Sequence, residues 1–278
     1  MKRISILVLI CLIFSLAGCS STSPQNDQVD ANQPNIEETN NEPNNESENE
    51  TILVAAAASL KNCMDDELIP LFVEKNPNIK VDATYDSSGK LQTQIEEGAD
   101  VDVFMSAAMK QMNALNDKGM IVNGSMVELL ENKVVLVVPN DNDIAISTFE
   151  EILKAETIAI GDPESVPAGQ YAKEAFENLN IWDQVSAKAS LGTNVTEVLN
   201  WVAEGSSNAG VVYATDAASN DNVQVVAEAP EGSVSKVIYP IGMVNTSSKQ
   251  DSAKVFMDFL QSEEAMTIFE NYGFSSVK

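Results

Sequence analysis

The sequence predicts an α/β protein of two lobes, each built around a largely parallel sheet. Strand-like and helix-like stretches alternate from Thr51 onward, the rhythm of βαβ units. Two long apolar runs, NKVVLVVP at 132–139 and KVIYPIGMV at 236–244, separate two such sets. No repeat of fixed period relates the sets. Strands near 133–138 and 237–244 are therefore expected to cross between lobes. The first lobe would hold 51–132 and 245–278, and the second 139–236. Two sequential domains would produce a similar periodicity.

Each element has its own signal. TILVAA (51–56) is a short apolar run, and a helical stretch follows from Leu60 to Glu74. IKVDATY (79–85) alternates, as a half-buried strand does, and Lys90 to Glu97 suits a helix. VDVFMS (101–106) precedes a helical stretch at 108–117. In the second set, TIAI (157–160) runs into a Gly-Asp-Pro turn, and a helix opens at Pro167, Ala168 and Gly169. A weak strand near 185–190, a helix from Val195 and the strand AGVVY (209–213) follow. Helices at 250–261 and 263–271 close the chain.

Not all 278 residues belong to the folded body. Met1 to Cys19 reads as a secretion signal: Lys2 and Arg3, an apolar run from Ile4 to Ala17, then small residues. That run falls short of the roughly 20 residues of a membrane span. Its ending, Leu16-Ala17-Gly18-Cys19, resembles a bacterial lipoprotein box, which implies a lipid anchor on Cys19 and an extracytoplasmic location. Residues 20–50 are rich in Asn, Glu, Ser, Gln and Pro and hold no Lys, Arg or aromatic residue. Such a segment cannot bury enough apolar surface to order itself. It reads as a tether whose ends lie on the order of 30 Å apart.

The net charge is −26. Setting aside Lys2, Arg3 and the eight acidic residues of 20–50 leaves −20 on the body. That charge argues against nucleic acid as a partner. It would also repel anions at long range, so an anion site must act through short hydrogen bonds. With no histidine in the chain, the usual general base and the Ser-His-Asp arrangement are absent. Cys11 leaves with the signal and Cys63 stands alone in a helical stretch, so no intrachain disulfide is expected. Asp141-Asn142-Asp143 lacks the Gly and distal Glu of an EF-hand and reads as a solvated turn.

Four strand-to-helix junctions could converge on a site. Ser59 in AAAASLKN stands where an N-cap would. Ser88 and Gly89 precede the helix of YDSSGKLQTQI. Ala168 begins the helix of GDPESVPAGQYAKEAF, where free N–H groups and the helix dipole seat an anion. In TNVTEVLNWV, Asn194 and Glu197 have capping-box spacing, which leaves Val195 as the first helical residue with a free N–H.

The segments AAASL (56–60), SSGKLQTQI (87–95), GADVDVFMSA (98–107), GDPESVPAGQYAKEAF (161–176), GVVYATDA (210–217) and IFENYGF (268–274) together carry a resemblance. The chain resembles the molybdate-binding proteins of ABC transporters, within the type II periplasmic-binding-protein fold. The match runs from Ile52 to the C-terminus. It implies two α/β lobes with the oxyanion between them, held by Ser59, Ser88, Ala168, Val195 and Tyr213. Ala168 and Val195 would act through backbone N–H and Tyr213 through its hydroxyl. Molybdenum would enter only as molybdate. No cofactor is implied and no reaction. The implied partners are an ABC permease and, through Cys19, the membrane, with the protein acting as a monomer. The family often carries Asp after its Ser-Ala; this chain has Ala108.

All five groups can donate a hydrogen bond, and none is a carboxylate. Molybdate, tungstate and sulfate are fully deprotonated near pH 7 and only accept. Phosphate keeps a proton there and wants an acceptor, so a carboxylate-free cleft would disfavour it. Rival readings are a site for another tetrahedral oxyanion such as sulfate, a hydrolase using Ser59 or Ser88 with Lys90 as base, and a surface adhesin.

Overall fold

The computed structural model describes residues 49–141 and 143–277. The signal, Cys19 and nearly all of the tether lie outside the described residues. Among these residues no helix is long and apolar enough to cross a membrane.

The first strand, β1 (Glu50–Ala57), begins one residue before the apolar run. A continuous helical segment follows: a 3-10 turn (Ala58–Leu60), α1 (Lys61–Cys63), a π turn (Met64–Leu68) and α2 (Ile69–Lys75). Then come β2 (Ile79–Asp86), α3 (Ser88–Glu96), β3 (Val103–Met105) and α4 (Met109–Asp117). Next are β4 (Val127–Asn132) and β5 (Val134–Pro139). The second set holds β6 (Ile158–Gly161), α5 (Pro167–Asn178), α6 (Trp182–Ser186), β7 (Ala189–Gly192) and α7 (Val195–Ala203). It ends with β8 (Ala209–Tyr213), α8 (Ala214–Ala218) and β9 (Val223–Glu228). The chain closes with β10 (Val237–Met243), α9 (Gln250–Leu260), α10 (Glu263–Asn271) and β11 (Ser275–Ser276).

These strands form two sheets, ordered β11-β4-β10-β3-β1-β2 and β7-β6-β8-β5-β9. Both are mixed rather than largely parallel. The βαβ units supply the parallel pairs β2-β1-β3 and β7-β6-β8. The remaining strands, β10, β4, β11, β5 and β9, pair antiparallel. β5 and β10 each arrive from the other sheet, so no crossover helix imposes a parallel direction on them.

The two strands read as crossings each lie in one sheet, β5 in the second and β10 in the first. The chain changes sheets at Lys133, the single residue between β4 and β5, and returns through 229–236. Sequence reading missed β4 because VELLEN carries Glu128, Glu131 and Asn132 among its apolar residues and no turn separates it from β5. Residues 185–186, the start of the expected weak strand, end helix α6 instead, and β7 starts at Ala189.

All six residues of β5 and all seven of β10 are buried, which explains their unbroken apolar runs. Phe72 packs edge-on against Phe256 with centroids 4.9 Å apart, fastening the helical run after β1 to α9. Burying a side chain of this size stabilises by about 1.5–3 kcal/mol. A second aromatic series joins the sheets: Tyr171 and Tyr213 from the second set, then Tyr239 and Phe274 from the first, at 6.4, 5.7 and 5.3 Å in turn. It brings the closing IFENYGF segment to the back of the site.

Candidate functional site

Ser59, Ser88, Ala168, Val195 and Tyr213 all line one tight cavity, whose free interior is about 10 Å³. Ser59 and Ser88 follow β1 and β2 of the first sheet, while Ala168 and Val195 follow β6 and β7 of the second and Tyr213 ends β8. All stand at the carboxyl ends of parallel strands, where α/β sheets place their ligands.

Ser59 is not an N-cap. It lies inside the 3-10 turn, whose cap position is Ala57. Its hydroxyl instead meets that of Tyr239 at 2.8 Å. Asn132 Nδ2 donates to the Tyr239 oxygen at 3.2 Å and to Thr215 Oγ1 at 2.9 Å. With Asn132 donating to it, Tyr239 can pass its own proton to Ser59, whose proton is then left for a guest. Ser88 is the first residue of α3, and Ser87 holds the cap position. The Ala107 N–H donates to Ser88 Oγ at 2.9 Å, again leaving a hydroxyl proton to give.

The second sheet contributes backbone donors. α5 starts at Pro167 behind the cap residue Val166, which makes no side-chain cap bond. Ala168 N–H is thus in the uncapped first turn. Gly161 and Gly169 let this helix start sit on the end of β6. A Cβ at Gly169 would stand 1.9 Å from the Gly161 carbonyl oxygen. At α7, Asn194 Oδ1 accepts from Glu197 N–H at 2.9 Å, the expected cap bond. Glu197 reaches back to Thr193 N–H at 2.6 Å rather than to Asn194. Neither bond uses Val195 N–H.

Tyr213 is 1% exposed, and its hydroxyl donates to the Ala107 carbonyl at 3.4 Å. That distance is long for an O–H···O bond, so the proton is easily redirected. Burial pushes the Tyr213 and Tyr239 phenols well above their usual range, keeping both protonated as donors. Ala107 joins a serine that follows the first sheet to a tyrosine of the second, through its N–H to Ser88 and its carbonyl to Tyr213. Ala108, where the resembled family often has Asp, is the cap residue of α4 and makes no side-chain cap bond. Its N–H is taken by Ser106 Oγ at 3.2 Å.

One expectation is corrected. The wall is not free of carboxylates, because Asp86 also lines the cavity. Its Oδ1 accepts from Ser87 N–H at 2.8 Å and from Lys90 Nζ at 3.2 Å. The negative charge is therefore paired at the lip, and Lys90 is committed to that pair. Tyr239, Asn132 and Asp86 escaped sequence reasoning. Tyr239 and Asn132 come from strands of the first sheet with no local motif. Asp86 was visible beside Ser87-Ser88, but nothing in its neighbours marks which way a strand-end residue faces.

Other candidate chemistry falls away. Cys63 is buried, its thiol donates to the Leu60 carbonyl at 3.2 Å, and desolvation pushes its pKa up to about 12. No group of three or more Cys, Asp or Glu able to hold a metal exists among the described residues. Asp216 is 6% exposed, and its Oδ2 has no hydrogen-bond partner. Burial raises that carboxyl to about 7 despite help from nearby backbone N–H groups.

Two mixed α/β sheets, with donors from both meeting in one cavity, define a solute-binding protein of the type II periplasmic class. The model of the bacterial extracellular solute-binding protein family matches residues 52–275, and the chain belongs to that family. It is 38% identical over 277 residues to Bacillus subtilis (strain 168) YvgL, whose name places it among ABC transporter substrate-binding lipoproteins; the match covers 99% of each chain. It is 38% identical over 230 residues to the molybdate-binding protein ModA of Escherichia coli (strain K12), covering 81% of this chain and 88% of that one. The solved periplasmic molybdate-binding protein of Azotobacter vinelandii superposes with a TM-score of 0.72 at 19% identity. That alignment covers 82% of this chain and 100% of that one. Within its family the chain is a ModA-like solute-binding protein of an ABC transporter, and such proteins bind without catalysis.

Proposed function

We propose that this protein captures molybdate, and tungstate with it, between its lobes and delivers the anion to an ABC importer. Ser59, Ser88 and Tyr213 donate through hydroxyls, and Ala168 and Val195 through backbone N–H. The convergence of these five donors from both sheets on one small cavity is the observation that carries the reading. The molybdate-binding names of relatives such as Escherichia coli ModA support it. The lobes close about the connections at Lys133 and 229–236, and the closed form is what the permease recognises. Cys19 holds the protein at the outer face of the membrane by its lipid, and 20–50 is the tether.

A dianion that only accepts is matched to hydroxyl and amide donors, each charge-assisted bond contributing about 1.5–3 kcal/mol. Hydrogen phosphate is the informative comparator, because Asp86 puts a carboxylate on the wall that could accept its proton. Calorimetric titration of the purified chain with molybdate, tungstate, sulfate and phosphate tests the reading. Molybdate and tungstate are expected to bind more tightly than sulfate, a smaller anion with the same acceptors, and more tightly than phosphate, which keeps a proton. Sulfate or phosphate binding more tightly than molybdate would sink it.

A further inference from the structure

Gly89 and Ser165 bring the two lobes into backbone contact beside the cavity. Gly89 lies on α3 of the first lobe, next to Ser88. Ser165 precedes α5 of the second lobe, three residues before Ala168. Gly89 N–H donates to the Ser165 carbonyl at 2.9 Å. A Cβ at Gly89 would stand 2.4 Å from that oxygen and 2.7 Å from the Ser165 Cα. The obstacle is backbone on a neighbouring lobe, so it yields only if the lobes separate. A second contact joins the same two lobes. Gln111 of α4 donates through Nε2 to Gln170 Oε1 of α5 at 3.1 Å. The other amide atoms, Gln111 Oε1 and Gln170 Nε2, are buried without partners, and they are an acceptor and a donor able to pair with each other.

We propose that the Gly89–Ser165 contact, backed by the Gln111–Gln170 pair, is the interlobe stop that sets the spacing of Ser88 and Ala168. Gly89 is thus a positioning residue for the anion, which it never touches. The proposal rests on the anion-binding reading for its affinity consequences but not for its geometric ones. Two donors reach one small anion only if their lobes approach to a fixed distance, and a hydrogen bond fails within a few tenths of an ångström. Any side chain at position 89 keeps the lobes too far apart for both donors to reach the guest. Gly89 does not have a left-handed backbone, so alanine suits α3 itself.

The test is Gly89→Ala in the full chain. The variant should keep one cooperative melting transition without ligand, which separates lobe spacing from misfolding. Molybdate affinity by calorimetry should fall roughly 10- to 100-fold. Small-angle scattering in saturating molybdate should show a larger radius of gyration than the liganded wild type. Gln111→Ala and Gln170→Ala, made singly and together, should each weaken binding, with the double variant no worse than the poorer single one. Wild-type affinity in Gly89→Ala together with an unchanged radius would overturn the proposal. If the wild type binds no molybdate, the functional reading fails. The stop is then judged by scattering without ligand, where equal radii for the wild type and Gly89→Ala overturn it.

Discussion

At the scale of the residue, both candidate serines meet a partner behind the cavity. Ala107 N–H occupies Ser88, and Tyr239, which accepts from Asn132, can donate to Ser59. What remains to each serine is a proton to give. Ser88→Ala should weaken molybdate binding roughly 10- to 150-fold, the size of one charge-assisted bond, as read by calorimetry. Tyr239→Phe touches the anion only through Ser59, so its loss in affinity should be smaller than that of Ser59→Ala. Asp216 behaves differently. Its folded pKa of about 7 lies above the ordinary carboxylate value, so the folded state holds a proton that the unfolded chain releases. Stability is therefore fully supported below the unfolded pKa near 4 and declines as pH rises through 7, by up to about 4 kcal/mol. Asp216→Asn should flatten that decline, as urea unfolding at pH 5 and pH 8 would reveal. An equal slope in the variant would show that another group carries it.

At the scale of the element, two helix starts do the anchoring. α5 is seated by the Gly161–Gly169 contact and α7 by the Asn194 cap. Asn194→Ala should cost about 1 kcal/mol of stability, the usual worth of a cap. It should also weaken molybdate binding, because the freed first turn no longer fixes Val195 N–H. Thermal melting and calorimetry on the same sample separate the two effects. These starts were legible in the sequence, since Pro167, Gly169 and the Asn194–Glu197 spacing are local signals. Ser59 was legible as a site position but not in its role, because its partner Tyr239 lies 180 residues away. β4 was hidden by its carboxylates, and β11 is only two residues long.

At the scale of the whole molecule, net charge and local chemistry oppose one another. The body carries −20, so an approaching dianion is repelled until it reaches the donors. Screening weakens that repulsion over about 8–10 Å at physiological salt. The association rate for molybdate should therefore rise with ionic strength while the dissociation rate stays nearly flat. Stopped-flow measurement of intrinsic fluorescence between low and high salt would show it, and an association rate that falls with salt would refute it. Two backbone connections, at Lys133 and 229–236, join the two sheets. The aromatic series from Tyr171 to Phe274 keeps them packed behind the cavity.

The α/β class, the places where helices begin and four of the five candidate donors are written in local patterns, while Tyr213 came only from the family resemblance. Periodicity, proline, glycine and cap spacing act over a few residues, so the sequence by itself determined them. Which strands cross and which merely pair, that Asp86 faces the cavity, and that Gly89 meets Ser165 were decided by tertiary structure alone. Each of these depends on residues brought together from distant parts of the chain, and contact at that range leaves no trace in neighbouring residues.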